Sequence, residues 1–360
     1  MHLCVPITLL LVLAGCDGGT HVVDDPPKDT GTDDTGGDTD ETGDSGDSGD
    51  TGETGDTGVA EPNVAWDLAG DFDGMSFSLV SLNVDDFSMA DIVAEAAAAE
   101  RVELALDPPD DYLEPSDVPG MYLAFFVGAV HNDDGDDRWD PDEDWYGASS
   151  FLTVYIDGVI PPEILDLGLH SGWNSLILSG GDNLVVGDPM AQPLPISFND
   201  QMTLSGTSDA TISPQGRVAT LAGAVFSGAQ VDALDDVALM DGDWSLEFDG
   251  APPSDHYADV DGDGGTEAVE LVVAYADGDE SGSLSLDGSD TMLGLGCVDE
   301  VLLVGWWIAP SPDLTALMNV SQFGGSVGWN ALLLDDAGGT RVATAAEAQR
   351  VVLSANCTLE

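Results

Sequence analysis

The sequence predicts an all-β protein: two tandem antiparallel β-sandwich repeats behind a disordered acidic linker. Three observations carry that prediction. Short apolar or alternating runs, at 75–84, 102–106, 122–130 and 151–156, are separated by Gly, Pro and Asp. Helical periodicity is sparse. A set of sequence anchors also occurs twice, in the same order, between residues 63 and 360.

The chain opens on an apolar run from Val5 to Gly15, of signal-peptide length and too short to span a bilayer as a helix. It ends in Leu13-Ala14-Gly15-Cys16, with small residues directly before the cysteine. This resembles the bacterial lipoprotein signal, whose cysteine is diacylated on sulfur and becomes the new N-terminus. The resemblance covers residues 1–16 and implies palmitate-type lipidation of Cys16 and a membrane partner reached through the anchor. Acyl chains contribute roughly 0.8 kcal/mol per buried CH₂, so two or three together hold firmly. Asp17 resembles an inner-membrane retention signal of some bacteria. That rule does not transfer across lineages, and the expected location is the outer membrane or cell surface.

Residues 17–62 are Asp, Thr, Gly and Ser with almost nothing apolar, including consecutive triplets of the type Asp-Ser-Gly and Asp-Thr-Gly from Glu41 onward. Such a segment cannot bury enough surface to offset its ordering entropy, and reads as a disordered spacer. Asp50-Thr51-Gly52 and Asp56-Thr57-Gly58 match the aspartic-protease triplet, but that chemistry needs two carboxylates sharing a proton in a buried cleft. A solvated repeat offers no such cleft.

The net charge of −63, with 6 Lys and Arg against 69 Asp and Glu, repels a phosphate backbone and excludes nucleic acid as a partner. It leaves attraction for cations, or a surface suited to high salt. Cys4 leaves with the signal and Cys16 takes lipid, so Cys297 and Cys357 remain as an even pair. An oxidising compartment favours a disulfide between them; two free buried thiols are the other reading.

The globular part divides into repeat 1 (63–200) and repeat 2 (201–360). Trp66 to Gly70 answers Met202 to Gly206, and Val102 to Asp107 answers Trp244 to Asp249, each followed by Pro-Pro and a tyrosine. Tyr122 to Val130 with its acidic loop answers Val269 to Tyr275 with Ala276-Asp277-Gly278-Asp279. Phe151 to Tyr155 answers Val301 to Gly305, and Pro161 to Leu165 answers Pro310 to Leu314. Gly172-Trp173-Asn174 answers Gly328-Trp329-Asn330. Helix is expected in the alanine-rich stretch from Asp91 to Arg101, and as short turns after Pro162 and Pro312. The order of a Gly-rich first strand, a strand ending in Asp-x-Pro and a Tyr-led strand entering an acidic loop resembles bacterial transthyretin-like or carboxypeptidase-regulatory-like sandwiches. That resemblance implies fold and no activity.

Two acidic loops have the spacing of calcium ligands. From Asp259 to Glu270 the chain fits D-x-D-x-D-G-x5-E, with Asp259, Asp261, Asp263, the Gly265 carbonyl and Glu270 as ligands. Alternate carboxylates in such a loop converge on one hard cation. In repeat 1, Asn132, Asp134, Asp136, Asp140 and Glu143 have similar spacing without the turn glycine. A plain acidic turn is the competing reading of each. Gly324-Gly325-Ser326-Val327-Gly328 spells the nucleophile-elbow pattern, but that motif needs a parallel α/β sheet and repeat 1 has His170 in the serine's place. His131, His170 and His256 lie in separate segments and indicate neither a zinc site nor a triad. Trp139, Trp145 and Tyr146 flank the first acidic loop, and one of the adjacent Trp306 and Trp307 faces outward if they lie on a strand. Such rings could stack on sugars, whereas Trp173 and Trp329 read as core.

The expectation is therefore a lipid-anchored cell-envelope protein, a non-enzymatic binding or structural module with calcium as its cofactor and a protein or glycan as ligand. The alternative is a hydrolase of envelope polymers or glycans working through a calcium-assisted acidic cleft, with Asp140 and Glu143 as an acid–base pair.

Overall fold

The computed structural model of the chain describes residues 60–83, 87–116, 118–132, 139, 143–179, 183–210, 212, 216–223, 231–257, 267–322, 324–334 and 339–357. Cys16 and nearly all of the 17–62 spacer lie outside them.

The first half carries β1 (Val64–Ala69), β2 (Met75–Leu82), β3 (Met89–Ala97), β4 (Arg101–Leu104), β5 (Glu114–Pro115) and β6 (Met121–Asn132). It continues through β7 (Trp145–Ala148), β8 (Leu152–Gly158), α1 (Pro162–Leu165), β9 (Gly172–Ser179), β10 (Asn183–Gly187) and β11 (Leu194–Asn199). The second half carries β12 (Gln201–Ser208), β13 (Arg217–Gly223), β14 (Val231–Ala238), β15 (Asp243–Asp249), β16 (Glu267–Ala276) and β17 (Thr291–Val298). It ends with β18 (Val301–Ile308), α2 (Leu314–Gln322), β19 (Val327–Leu334), β20 (Thr340–Val342), α3 (Ala345–Ala348) and β21 (Val351–Ser354). The protein is a β protein whose two sheets are mostly antiparallel.

Strand wiring in the second half repeats that of the first. Strand β1 pairs antiparallel with β4 and parallel with β11; β12 pairs likewise with β15 and β21. The order β3-β2-β6-β8-β9-β10 recurs as β14-β13-β16-β18-β19-β20, with β7 on β6 and β17 on β16. The halves join where β11 runs parallel to β19, pairing Phe198 with Val327 and Asn199 with Gly328, which completes a 13-stranded sheet beside an 8-stranded one. Gly328 has φ +90°, and a Cβ there would sit 2.0 Å from the Asn199 carbonyl oxygen, so only glycine allows this approach.

Three apolar clusters follow from the alternation of side chains along each strand. Trp66, Phe77, Phe126 and Trp173 fill the first sandwich, and Leu204, Phe248, Trp307 and Trp329 fill the second. The third cluster takes the opposite strand faces of both halves, with Phe125, Val127, Val273, Val304 and Leu317 in contact through it. Ser321 on α2 donates to the Ala148 carbonyl of β7, and Trp145 bridges Ser311, so the two halves share a packed seam. Each large apolar side chain buried this way contributes roughly 1.5–3 kcal/mol.

Three expectations are corrected. The alanine-rich stretch from Asp91 is strand β3, not helix, and it pairs with β2 through two register shifts. Its helix propensity is outweighed by the exposed ladder that β2 offers. Neither Trp306 nor Trp307 faces solvent: they are 8% and 4% exposed, because β18 is covered on both sides. In strand register, Trp307 rather than Gly305 answers Tyr155, since Tyr155 pairs Trp173 and Trp307 pairs Trp329. The expected turns of helix after Pro162 and Pro312 are α1 and α2.

Candidate metal centre in the β16–β17 loop

Among the described residues, one group of carboxylates converges closely enough to hold a metal ion. Asp277, Asp279 and Asp290 present oxygens within 4.8 Å of one another at the tip of the β16–β17 hairpin. The loop folds on itself through its own serines and glycines. Ser281 N–H donates to Asp277 (3.0 Å) and Asp279 (2.9 Å), and Gly282 N–H to Asp277 (2.9 Å). Gly278 and Ser285 N–H each donate to Asp290 at 2.7 Å. The hydroxyls of Ser285 and Ser289 donate to Asp279 at 3.2 and 3.1 Å. A Cβ on Gly278 would meet the Ser289 carbonyl oxygen at 2.3 Å, so the glycine lets the loop close across itself.

These donors act on the charged form. Hydrogen bonds from Ser281, and then from Ser289 and Ser285, hold Asp279 down at about 2, and those from Ser289 also lower Asp287. The loop is thus an organised array of hydrogen-bonded carboxylate oxygens. An all-oxygen donor set suits Ca²⁺ or Mg²⁺ rather than a softer metal.

Sequence reasoning found Asp277 and Asp279 only as an acidic loop and missed Asp290 and the serines. No contiguous template spans that separation. The dense alternation of Ser and Asp from Asp277 to Asp290 was the available signal. In the first half the corresponding hairpin loop joins β6 to β7; His131 pairs Trp145 there as Tyr275 pairs Met292 here.

The two loops singled out from sequence are only partly described. Asp259, Asp261, Asp263 and Gly265 lie outside the described residues. Glu270 sits within β16, 2% exposed, on the face that fills the second sandwich. Asp134, Asp136 and Asp140 are likewise outside. Asn132 accepts from Asp144 N–H at 3.1 Å, and Glu143 is buried against His131 Nδ1 at 3.1 Å. The other His131 nitrogen meets Ser78 Oγ at 3.1 Å. This Ser78–His131–Glu143 chain has the connectivity of a nucleophilic relay. Ser78 and His131 are both 0% exposed, so it acts here as a buried clamp at the root of the β6–β7 loop.

The remaining candidates fall into the framework. Ser326 is buried and bonded to Asn199 and Asn330. Asn330 ties Ser326 and Gly328 as Asn174 ties His170 and Gly172, which explains the recurring Gly-Trp-Asn as a strand-entry brace. Trp139 and Trp145 stack on each other at 5.1 Å, and Trp145 is fully buried, so it offers no face to a sugar. Cys297 and Cys357 are joined in a disulfide. No protein-family model matches the chain, and no curated protein matches it.

Proposed function

We propose that the chain is a lipid-anchored protein of the cell envelope, held at the outer membrane or surface by Cys16 and spaced from it by the acidic segment. Its folded part is a non-enzymatic binding or structural module, stabilised by calcium and open to a protein or glycan partner. What supports the calcium part is the convergence of Asp277, Asp279 and Asp290 at one hairpin tip, with seven hydrogen bonds from the same loop fixing the carboxylates. What supports the anchor is the lipobox of residues 13–16.

The test is a thermal melt of the intact chain at constant high ionic strength, with Ca²⁺, Mg²⁺ or chelator. A ligand of the folded state raises Tm by mass action. Calcium is expected to raise it more than magnesium, and Asp279→Asn to remove most of that difference, whatever it does to the melt in chelator. Equal melts in all three conditions would sink the calcium reading. For the anchor, Cys16→Ser is expected to move the protein from the membrane to the soluble fraction; retention in the membrane fraction would overturn lipidation.

A further inference from the structure

Equivalent positions of the two sandwich interiors differ in one cluster. Trp173, Tyr155 and Ala124 pair in a row across β9, β8 and β6, and Trp329, Trp307 and Ala268 do so across β19, β18 and β16. Two residues further on, Phe126 and Glu270 therefore occupy the same place. The neighbouring strand equates Leu79 with Thr220, through Gly128 and Val272. The two 3-10 turns start after Pro109 and Pro253, so in the structure Tyr112 corresponds to His256 and not, as the repeated tyrosines suggested, to Tyr257.

In the first sandwich this corner is apolar and aromatic. Phe126 is fully buried, 5.2 Å from the Trp173 ring and 6.2 Å from that of Tyr112. In the second, the same three places hold Glu270, Thr220 and His256, which are 2%, 0% and 7% exposed. The first sandwich shows that the fold requires no polar group here. Burying them costs free energy unless something satisfies them.

Among the described residues, most buried side-chain polar atoms without a hydrogen-bond partner are indole nitrogens. The other four are Ser175 Oγ, on β9 in the first half, and Thr220 Oγ1, His256 Nδ1 and Glu270 Oε2, which belong to this one corner. Thr220 lies close enough to favour the Glu270 charge but makes no hydrogen bond of ordinary geometry with it. The far nitrogen of His256, Nε2, meets Asp232 Oδ2 at 3.0 Å. A carboxylate only accepts, so His256 Nε2–H is the donor in this bond. A histidine tied by one nitrogen to a carboxylate, with the other bare beside an acid, is the usual outer-shell arrangement at a metal.

We propose that His256 Nδ1 and Glu270, with Thr220 beside them, form a site for a borderline divalent cation of the zinc class, and that Asp232 orients the histidine. The nitrogen distinguishes it from the all-oxygen hairpin loop, on which it does not depend. Burial pushes the Glu270 carboxyl up to about 7, with nearby Asp235 adding to the rise and Thr220 and His256 opposing it. A bound cation would offset that cost of ionisation.

The test strips the intact chain with chelator, adds excess Ca²⁺ to fill oxygen-only sites, and titrates Zn²⁺ by calorimetry. A parallel Co²⁺ titration reads nitrogen ligation from visible absorption. A single tight equivalent is expected, with Tm rising about 5 °C when Zn²⁺ is in hundredfold excess over its Kd. Asp232→Asn should weaken it roughly 10- to 100-fold, and Asp279→Asn should leave it unchanged. The double variant His256→Tyr, Glu270→Phe installs the first sandwich's own residues; it should fold, by circular dichroism, and lose the tight equivalent. No tight zinc in the wild type, or equal zinc binding by the double variant, would overturn the proposal.

Discussion

Replacing Cys297 and Cys357 with serine is expected to lower stability by about 4 kcal/mol, the chain-entropy value for a crosslink closing a loop of 60 residues. The bond lies where the second sandwich is closed. Strand β17 pairs with β21, at Leu295–Ser354 and Cys297–Val352, and this pairing connects the two layers around Trp307 and Trp329. Without the crosslink the unfolded chain gains freedom, and the short β21 is held by backbone pairing and by Val351 and Leu353 alone. Thermal melts with and without reductant should differ by roughly 10 °C in the wild type. They should coincide in the serine variant. An unchanged wild-type melt would mean that the closure is carried by packing rather than by the crosslink.

The second large effect separates backbone strain from assembly of the halves. Gly172 and Gly328 begin equivalent strands with φ of +96° and +90°. A Cβ on Gly172 meets nothing within 4 Å, whereas one on Gly328 lies 2.0 Å from Asn199 O. Gly172→Ala should therefore cost about 1 kcal/mol, the strain of a left-handed backbone for a residue with a side chain. Gly328→Ala carries the same strain and must also push β11 off β19, for a total of about 3 kcal/mol. Denaturant midpoints of the two variants measure the difference. Equal costs would show that the β11–β19 contact contributes nothing to stability.

Fold class was legible because strand alternation survives in isolation: β2, β6, β15 and β18 lie within a few residues of the runs that announce them. The six repeated anchors fall on strands or turns with the same wiring in each half. Register within them was not legible, since an apolar run marks a strand but not which residue faces which partner. The Ala-rich β3 misled because its helix propensity is local while its pairing with β2 is not. Trp306 and Trp307 misled because a strand covered on both sides carries no alternation to read. The pairing of Asp277 and Asp279 with Asp290 depends on a hairpin tip closing across Gly278, and the electrostatic influence of His256 on Glu270 depends on a turn meeting a strand. Neither leaves a mark in linear spacing.

The position of β1 has a mechanical consequence. The chain enters the fold at Val64, and β1 is hydrogen-bonded along both edges, to β4 and to β11. A pull applied through the N-terminal segment loads that strand along its own axis. Its ladder bonds are then strained together in shear, instead of peeling one at a time from a free edge. Because β11 passes on to β19, the load spreads at once into the second sandwich. A protein drawn by its N-terminus is thus gripped near one end of the 13-stranded sheet, where β11 links the two halves.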